Sequence, residues 1–343
     1  MKKLGFGLMR LPVTNSEDYS SVDIEKLKVM ADLFMKKGYT YYDTAYVYHG
    51  GHSETAFREA VVKRYPRDSF TITDKLPIWH LSSKEDVKKT FEESLSRLGV
   101  DYIDYYWLHA LRAEPYQKAL DFDAFNFVRQ MKEEGKIKHL GFSFHGTSDV
   151  LEKILIEQPD MEIVQLQLNY LDWEDERVQA RKNYEICEKY DKKVVIMEPL
   201  RGGALVNVPE EVEKLFRSYS SAKITDWGLR FAASHKNVIM VLSGMGTPEQ
   251  IEQNTAVFDD FVPMNEKELA IVAKAAEFIK KTLAVPCTAC HYCDGCPKDI
   301  QIPDYFKLYN DYMTSGKKDG ARFDAISANH GKPSDCIKCG RCE

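Results

Sequence analysis

Short runs of consecutive apolar residues alternate along this chain with longer stretches whose apolar positions recur every three or four residues. These are the patterns of buried strands and of amphipathic helices. Asp23 to Lys37 carries the helical period at Ile24, Leu27, Val29, Met30, Leu33 and Phe34, and Gly38 supplies a stop. Ser82 or Ser83 can cap a helix that runs to Leu98 and ends at Gly99. Further helices are predicted from Gly50-Gly51-His52-Ser53-Glu54 to Arg64, and over Phe122–Glu134, Ser148–Glu157, Val178–Tyr190 and Pro248–Phe258, with a helical region from Pro209 to Ser234. Between them fall short apolar runs: Lys3–Leu8, one ending at Asp43, Phe70–Lys75, Ile103–Leu108, Ile137–Ser143, Ile163–Leu168, Lys193–Met197 and Val238–Leu242. Such runs suit a parallel sheet covered on both faces.

Eight strand–helix units in succession predict an α/β chain built as a (β/α)8 TIM barrel. The rival is a doubly wound open sheet, which usually opens on a glycine-rich phosphate turn, and Gly5-Phe6-Gly7-Leu8-Met9-Arg10 lacks that pattern. In a barrel the C-terminal strand ends share one mouth, so residues far apart in sequence can form one site. After Phe258 the alternation stops. A helix is expected over Asn265–Leu283, with a boundary at Val285-Pro286, giving a barrel over 1–262, a connecting helix over 263–285 and a cysteine-rich domain over 286–343.

The length of 343 residues fits one barrel of about 250 residues with an appendage. A net charge of −6 and a pI near 5.9 give no electrostatic case for nucleic acid or an anionic membrane as partner. The apolar run within Met1–Val13 is too short for a signal-peptide core, and no window approaches a membrane span, so the expected location is cytoplasmic. Seven of the eight cysteines lie between Cys287 and Cys342. In a reducing compartment, thiols clustered in this way read as metal ligands.

Four strand ends carry chemistry. Asp43 and Tyr48 follow the second strand, Lys75 ends the third and His109 follows the fourth. Carbonyl reduction needs a proton donor at the nascent alkoxide. A phenol near an ammonium and an imidazole can serve, with a carboxylate holding the ammonium charged and oriented. Taken singly, each of these residues would more simply be a packing or surface residue; their order along the strand ends argues for a site. His145, beyond the fifth strand, can also face the mouth.

These residues closely resemble the aldo-keto reductase family: Asp43-Thr44-Ala45 followed by Tyr48, then Lys75, and Leu108-His109. Gly141-Phe142-Ser143, Gln165, Glu198-Pro199-Leu200 with Gly202-Gly203, and Leu242-Ser243-Gly244 followed by Gln253-Asn254 agree with it, so the resemblance covers about residues 3 to 260. It implies NAD(P)H-dependent reduction of a small-molecule aldehyde or ketone, with Tyr48 as general acid, Asp43 and Lys75 tuning it and His109 orienting the substrate oxygen. It also implies that Ser143 and Gln165 hold the carboxamide and that Met197, Pro199 and Leu200 flank the nicotinamide. Ser243, Gly244, Gly246, Gln250 and Asn254 would meet the pyrophosphate and adenosine end. Phe144 stands where the family commonly has asparagine, and Gly244 and Gln250 align with positions that often carry a basic residue for a 2′-phosphate. NADH is therefore expected alongside NADPH.

The tail carries Cys287, Cys290, Cys293 and Cys296-Pro297, then Cys336, Cys339 and Cys342, each separated from the next by two residues within its block. Soft thiolates at this spacing suit iron-sulfur clusters, with a Cys₄ zinc site as rival. The tail resembles the ferredoxin-like insert of one branch of the same family. By that likeness Cys336, Cys339, Cys342 and Cys296 complete one [4Fe-4S] cluster, while Cys287, Cys290 and Cys293 lack a fourth ligand, as expected of a truncated chain. One or two clusters are thus expected, structural or modulatory beside the reductase. The alternatives are an electron-transfer protein that exchanges electrons with a ferredoxin-type redox partner, and a redox-responsive protein that binds nicotinamide with little turnover.

Overall fold

The computed structural model describes residues 2–282, 284, 285, 287, 293–315, 318–340 and 342. Eight parallel strands close in chain order into a barrel: β1 (Leu4–Gly7), β2 (Tyr41–Asp43), β3 (Thr71–Leu76), β4 (Ile103–Leu111), β5 (Ile137–Phe144), β6 (Ile163–Gln167), β7 (Lys193–Met197) and β8 (Val238–Gly244), with β8 pairing back to β1. The helices between them are α1 (Ile24–Lys36), α2 (Ser53–Phe57), α3 (Lys84–Leu98), α4 (Ala113–Asp121), α5 (Ala124–Glu133), α6 (Ser148–Glu157), α7 (Ala180–Lys189), α8 (Glu210–Tyr219) and α9 (Ile224–Ala233). After β8 come α10 (Pro248–Asp259), α11 (Glu266–Thr282), α12 (Ile302–Ser315) and α13 (Gly320–Asn329). Among the described residues no helix is long and apolar enough to cross a membrane. The chain divides into two compact units, residues 1–199 with 228–264, and residues 200–227 with 265–343.

The first unit contains the whole barrel. Successive strand side chains point to opposite faces, so odd-numbered residues of β1 to β7 and even-numbered residues of β8 fill the interior, and the others meet the helices. Tyr41, Trp107, Ile163, Val195, Met240 and Leu242 form one buried cluster inside. On the outer face Tyr42 packs on Phe34 and Phe57, and Tyr106 packs edge-on against Phe91 of α3. Two glycines make room for the large interior rings. A Cβ on Gly5 would lie 2.8 Å from Tyr41, and one on Gly141 would lie 2.3 Å from the Ile163 carbonyl oxygen and 2.5 Å from the Trp107 ring.

In the second unit Phe216 of α8 stacks on Trp227 at 4.6 Å, and Tyr305 of α12 meets Phe323 of α13 at 5.6 Å. The Asp319 carboxylate caps α13 by accepting from the Arg322 N–H at 3.0 Å.

The pattern of the sequence is kept, with local differences. The helix expected from Gly50 to Arg64 is a 3-10 turn, the short α2 and a π turn over Arg58–Val62. The region from Pro209 to Ser234 breaks at Ser220 into α8 and α9, and α4 precedes the helix expected over Phe122–Glu134. The tail also contains α12 and α13.

Candidate active site

Asp43, Lys75, Ser143, Gln165 and Met197 share the odd parity of the interior face, one layer above the apolar cluster. The strand pairings bring them together: Lys75 is in register with Trp107, and Ser143 with Gln165. The Lys75 ammonium donates to Asp43 Oδ1 at 2.5 Å and to the Thr44 carbonyl at 2.6 Å, and lies 4.8 Å from the centre of the Tyr48 ring. Both members of the ion pair are buried, with side chains only 1% and 4% exposed. Burial pushes the Asp43 carboxyl up, and the Lys75 ammonium pulls against it.

Tyr48 lies beyond β2, in a 3-10 turn rather than on the strand, and its ring meets His109 edge-on at 5.8 Å. Burial, and then the Asp43 charge, hold its phenol well above the ordinary value. A carboxylate already in contact with an ammonium leaves little net field at the phenol, so desolvation decides and Tyr48 keeps its proton. Burial, then the Lys75 charge, push His109 well below its ordinary value, so the imidazole is neutral.

His109 sits where β4 departs from regular pairing. The register shifts between Leu108 and Leu111, Ala110 takes a left-handed φ of 54°, and its N–H donates to Ser143 Oγ at 2.7 Å. The irregularity turns the imidazole toward the mouth. Trp79 packs against it at 4.8 Å.

The cofactor positions proposed from the sequence that belong to the first unit lie at or just after the C-terminal ends of β5 to β8, or on α10. Gln165 Nε2 donates to Asp43 Oδ2 at 3.4 Å, while its Oε1, like His109 Nδ1, is buried without a hydrogen-bond partner among the described residues. Asn254 of α10 donates to Ser243 Oγ at 2.9 Å, and the Gly246 N–H donates to Gln250 Oε1 at 2.7 Å at the N-terminus of that helix. Orphaned polar atoms beside Ser143, and a capped helix N-terminus beside Gly246, suit an amide and an anionic diphosphate. Met197 and Pro199 end the β7 side of the mouth, and Leu200 begins the second unit. His145 is half-buried, and the nearby Arg112 charge adds to the burial that pushes it down to about 4.

One contact at this rim had no signal in the sequence reading. Arg10 runs along Gly244, where a Cβ would lie 3.3 Å from its stem, and pairs with Glu198 at 3.4 Å. Glu198 takes a left-handed φ of 57°.

The comparisons with known proteins span the barrel. A family model described as "Aldo/keto reductase family" matches residues 3–277. The chain belongs to the aldo-keto reductase family. This aldo-keto reductase is therefore an oxidoreductase. It is 22% identical to the NADH-specific methylglyoxal reductase of Escherichia coli, over 70% of this chain and 84% of that protein. The holo form of an aldo-keto reductase from Bacillus halodurans superposes with a TM-score of 0.65 at 23% identity, covering 80% of this chain and 91% of that one. An aldo/keto reductase of Klebsiella pneumoniae in complex with NADP and acetate gives a TM-score of 0.63 at 19% identity, over 79% and 90%. At these identities the structural likeness establishes the (β/α)8 barrel alone.

Seven of the eight cysteines lie in the tail. Cys287, Cys293 and Cys296 are partly exposed, and Cys336, Cys339 and Cys342 are exposed; Cys290 lies outside the described residues. Among the described residues no three His, Cys, Asp or Glu side chains come together as a metal site. Lys338 and Gly340 take left-handed φ values of 54° and 73° on either side of Cys339, and the Lys338 N–H reaches Cys336 Sγ at 3.4 Å.

Proposed function

We propose that the barrel reduces an aldehyde or ketone to the alcohol with NADPH or NADH, Tyr48 acting as general acid. The observation that carries this reading is the Lys75 ammonium, held by Asp43 at 2.5 Å and lying 4.8 Å from the Tyr48 ring. The nicotinamide, when bound, supplies the hydride.

The protein's own residues supply the rest. Tyr48 holds a proton at Oη and gives it to the carbonyl oxygen as negative charge develops there. Lys75 stabilises the phenolate left behind, and Asp43 keeps the ammonium aimed at it. The neutral His109 donates an N–H to the substrate oxygen, and Trp79 packs on the imidazole and limits water. Ser143 and the free Oε1 of Gln165 hold the carboxamide. Met197, Pro199 and Leu200 flank the ring, and Ser243, Gly244, Gly246, Gln250 and Asn254 meet the diphosphate and adenosine.

For the tail we infer a ferredoxin-like domain over 286–343 that binds [4Fe-4S], with Cys296, Cys336, Cys339 and Cys342 around one cluster and Cys287, Cys290 and Cys293 contributing to a second. The spacing supports this reading, and the backbone N–H bond to Cys336 Sγ is of the kind thiolate ligands accept. The described residues do not gather a ligand set, and no step of the reduction is routed through these thiols.

One anaerobic experiment tests both readings. Iron-reconstituted protein is mixed with NADH or NADPH, with and without a simple aldehyde, and nicotinamide oxidation is followed together with any visible cluster band. The expected result is oxidation only with aldehyde, a steady cluster band, and a loss of about a hundredfold or more in Tyr48→Phe. Bleaching of the band without aldehyde would instead favour electron transfer to a redox partner. Full activity in Tyr48→Phe would remove the acid assignment.

A further inference from the structure

We infer that His49 is the positioning residue of the reaction, a neutral imidazole strap that fixes the turn carrying Tyr48 against two other segments of the barrel rim. The inference rests on the reading of Tyr48 as the acid.

The chain reverses sharply after Tyr48. His49, Gly50 and Gly51 take left-handed φ values of 53°, 62° and 90° in succession. Glycine adopts that conformation freely, whereas a residue with a Cβ disfavours it and needs something to hold it there.

The His49 ring supplies the hold. It is completely buried. Its Nε2 accepts the Leu11 backbone N–H at 3.1 Å, and its Nδ1 lies 2.7 Å from the Tyr19 carbonyl. An acceptor at Nε2 and a donor at Nδ1 define one neutral tautomer. Protonation would place a second donor against the Leu11 N–H, and burial pushes the imidazole down, against that protonation. The Tyr19 ring stacks on the imidazole at 4.1 Å, and its hydroxyl donates to the Met9 carbonyl. Leu11 closes the turn after β1, and Tyr19 belongs to the loop before α1. One side chain therefore ties both segments to the residue next to the general acid.

The consequence concerns placement of a proton. Tyr48 is not on a strand, so the barrel ladder does not fix its phenol, and about 1 Å of drift at a reacting group can cost about a hundredfold in rate. Phenylalanine at 49 keeps the ring and its stacking but removes both hydrogen bonds. Glutamine keeps one acceptor and one donor.

The test uses the full-length protein with NADH or NADPH and a simple aldehyde. Active sites are normalised by nicotinamide binding stoichiometry from cofactor fluorescence. His49→Phe is expected to lower kcat about tenfold to a hundredfold, with KM and the cofactor Kd within about twofold of the parent. His49→Gln is expected to recover most of that loss. In the Tyr48→Phe background, His49→Phe is expected to cost nothing further, because the two changes act through one group.

Three outcomes would overturn the inference: parental kcat in His49→Phe, equal losses in the Phe and Gln variants, or a His49→Phe loss that multiplies that of Tyr48→Phe. The last two are what a purely structural role gives. Parental activity in Tyr48→Phe alone would instead overturn the assignment of the acid on which the inference stands.

Discussion

Lys75 is one half of a buried ion pair in the barrel interior. Its ammonium and the Asp43 carboxylate are 2.5 Å apart with almost no solvent access, so neither charge has an alternative partner in water. Lys75→Met should cost about 3–5 kcal/mol of stability by stranding a buried carboxylate. The double variant Asp43→Asn with Lys75→Met should regain most of this in urea unfolding while staying inactive. A Lys75→Met protein as stable as the parent would show that the pair contributes nothing net.

The same layer sets the pH response. Burial keeps the Tyr48 phenol up and the His109 imidazole down. The groups are thus in their reactive forms from below the ordinary histidine value of 6.5 to above the ordinary tyrosine value of 10.0. We expect kcat/KM for aldehyde reduction to be flat across that window, with its alkaline fall above it. A fall centred near neutral pH would contradict the assigned protonation states. Asp43, Lys75 and His109 were legible in the sequence because strand ends with the right chemistry stood in a familiar order. The Ala110 kink that aims His109 was not legible, because nothing about an alanine announces a left-handed φ.

At the scale of elements, β3 is held from both sides. Lys75 faces the interior, while Asp74 faces α2 and α3 and is completely buried, as is Glu54 of α2. Burial, followed by the Glu54 charge, raises the Asp74 carboxyl well above the usual range, and Arg97 of α3 meets Glu54 Oε2 at 3.1 Å. Asp74 therefore keeps a proton between helix and strand. Because the folded value is raised, the stability Asp74 contributes is present at low pH and is lost as pH rises through that folded value. Asp74→Asn should flatten the fall in melting temperature as pH rises above the ordinary carboxylate value of 3.8; an unchanged slope would show that Asp74 does not carry the proton.

Sequence reading passed over this pair because two acids on separate elements look like solvated residues until the packing is known. It passed over α4 for a related reason. Pro115 reads as a breaker, yet it sits in the first turn of that helix, where its missing N–H has no partner to lose. The barrel itself was legible, since buried strands and amphipathic helices differ in period. The helices of the tail were hidden by the density of cysteines, which drew the reading toward ligands and away from the apolar positions of Tyr305, Phe306 and Phe323.

For the whole molecule, buried and half-buried imidazoles set the acid limit. His49 and His109 are pushed below 6.5, and His145 and His235 down to about 4, each chiefly by burial. Their folded values lie below the unfolded one, so the unfolded chain takes up protons first, and stability is lost as pH falls from 6.5 toward those folded values. The urea midpoint should decline between neutral pH and about pH 5. A midpoint constant over that range would mean that the histidines are already open to water.

Trp107 and Gly141 face each other across neighbouring strands, and the indole occupies the space a side chain at 141 would need. Shrinking the tryptophan first opens a hole costing about 3–5 kcal/mol. Adding a side chain at 141 first drives it into the ring and into the Ile163 carbonyl. Neither order of substitution passes through a sound intermediate, so the two positions can be exchanged only together.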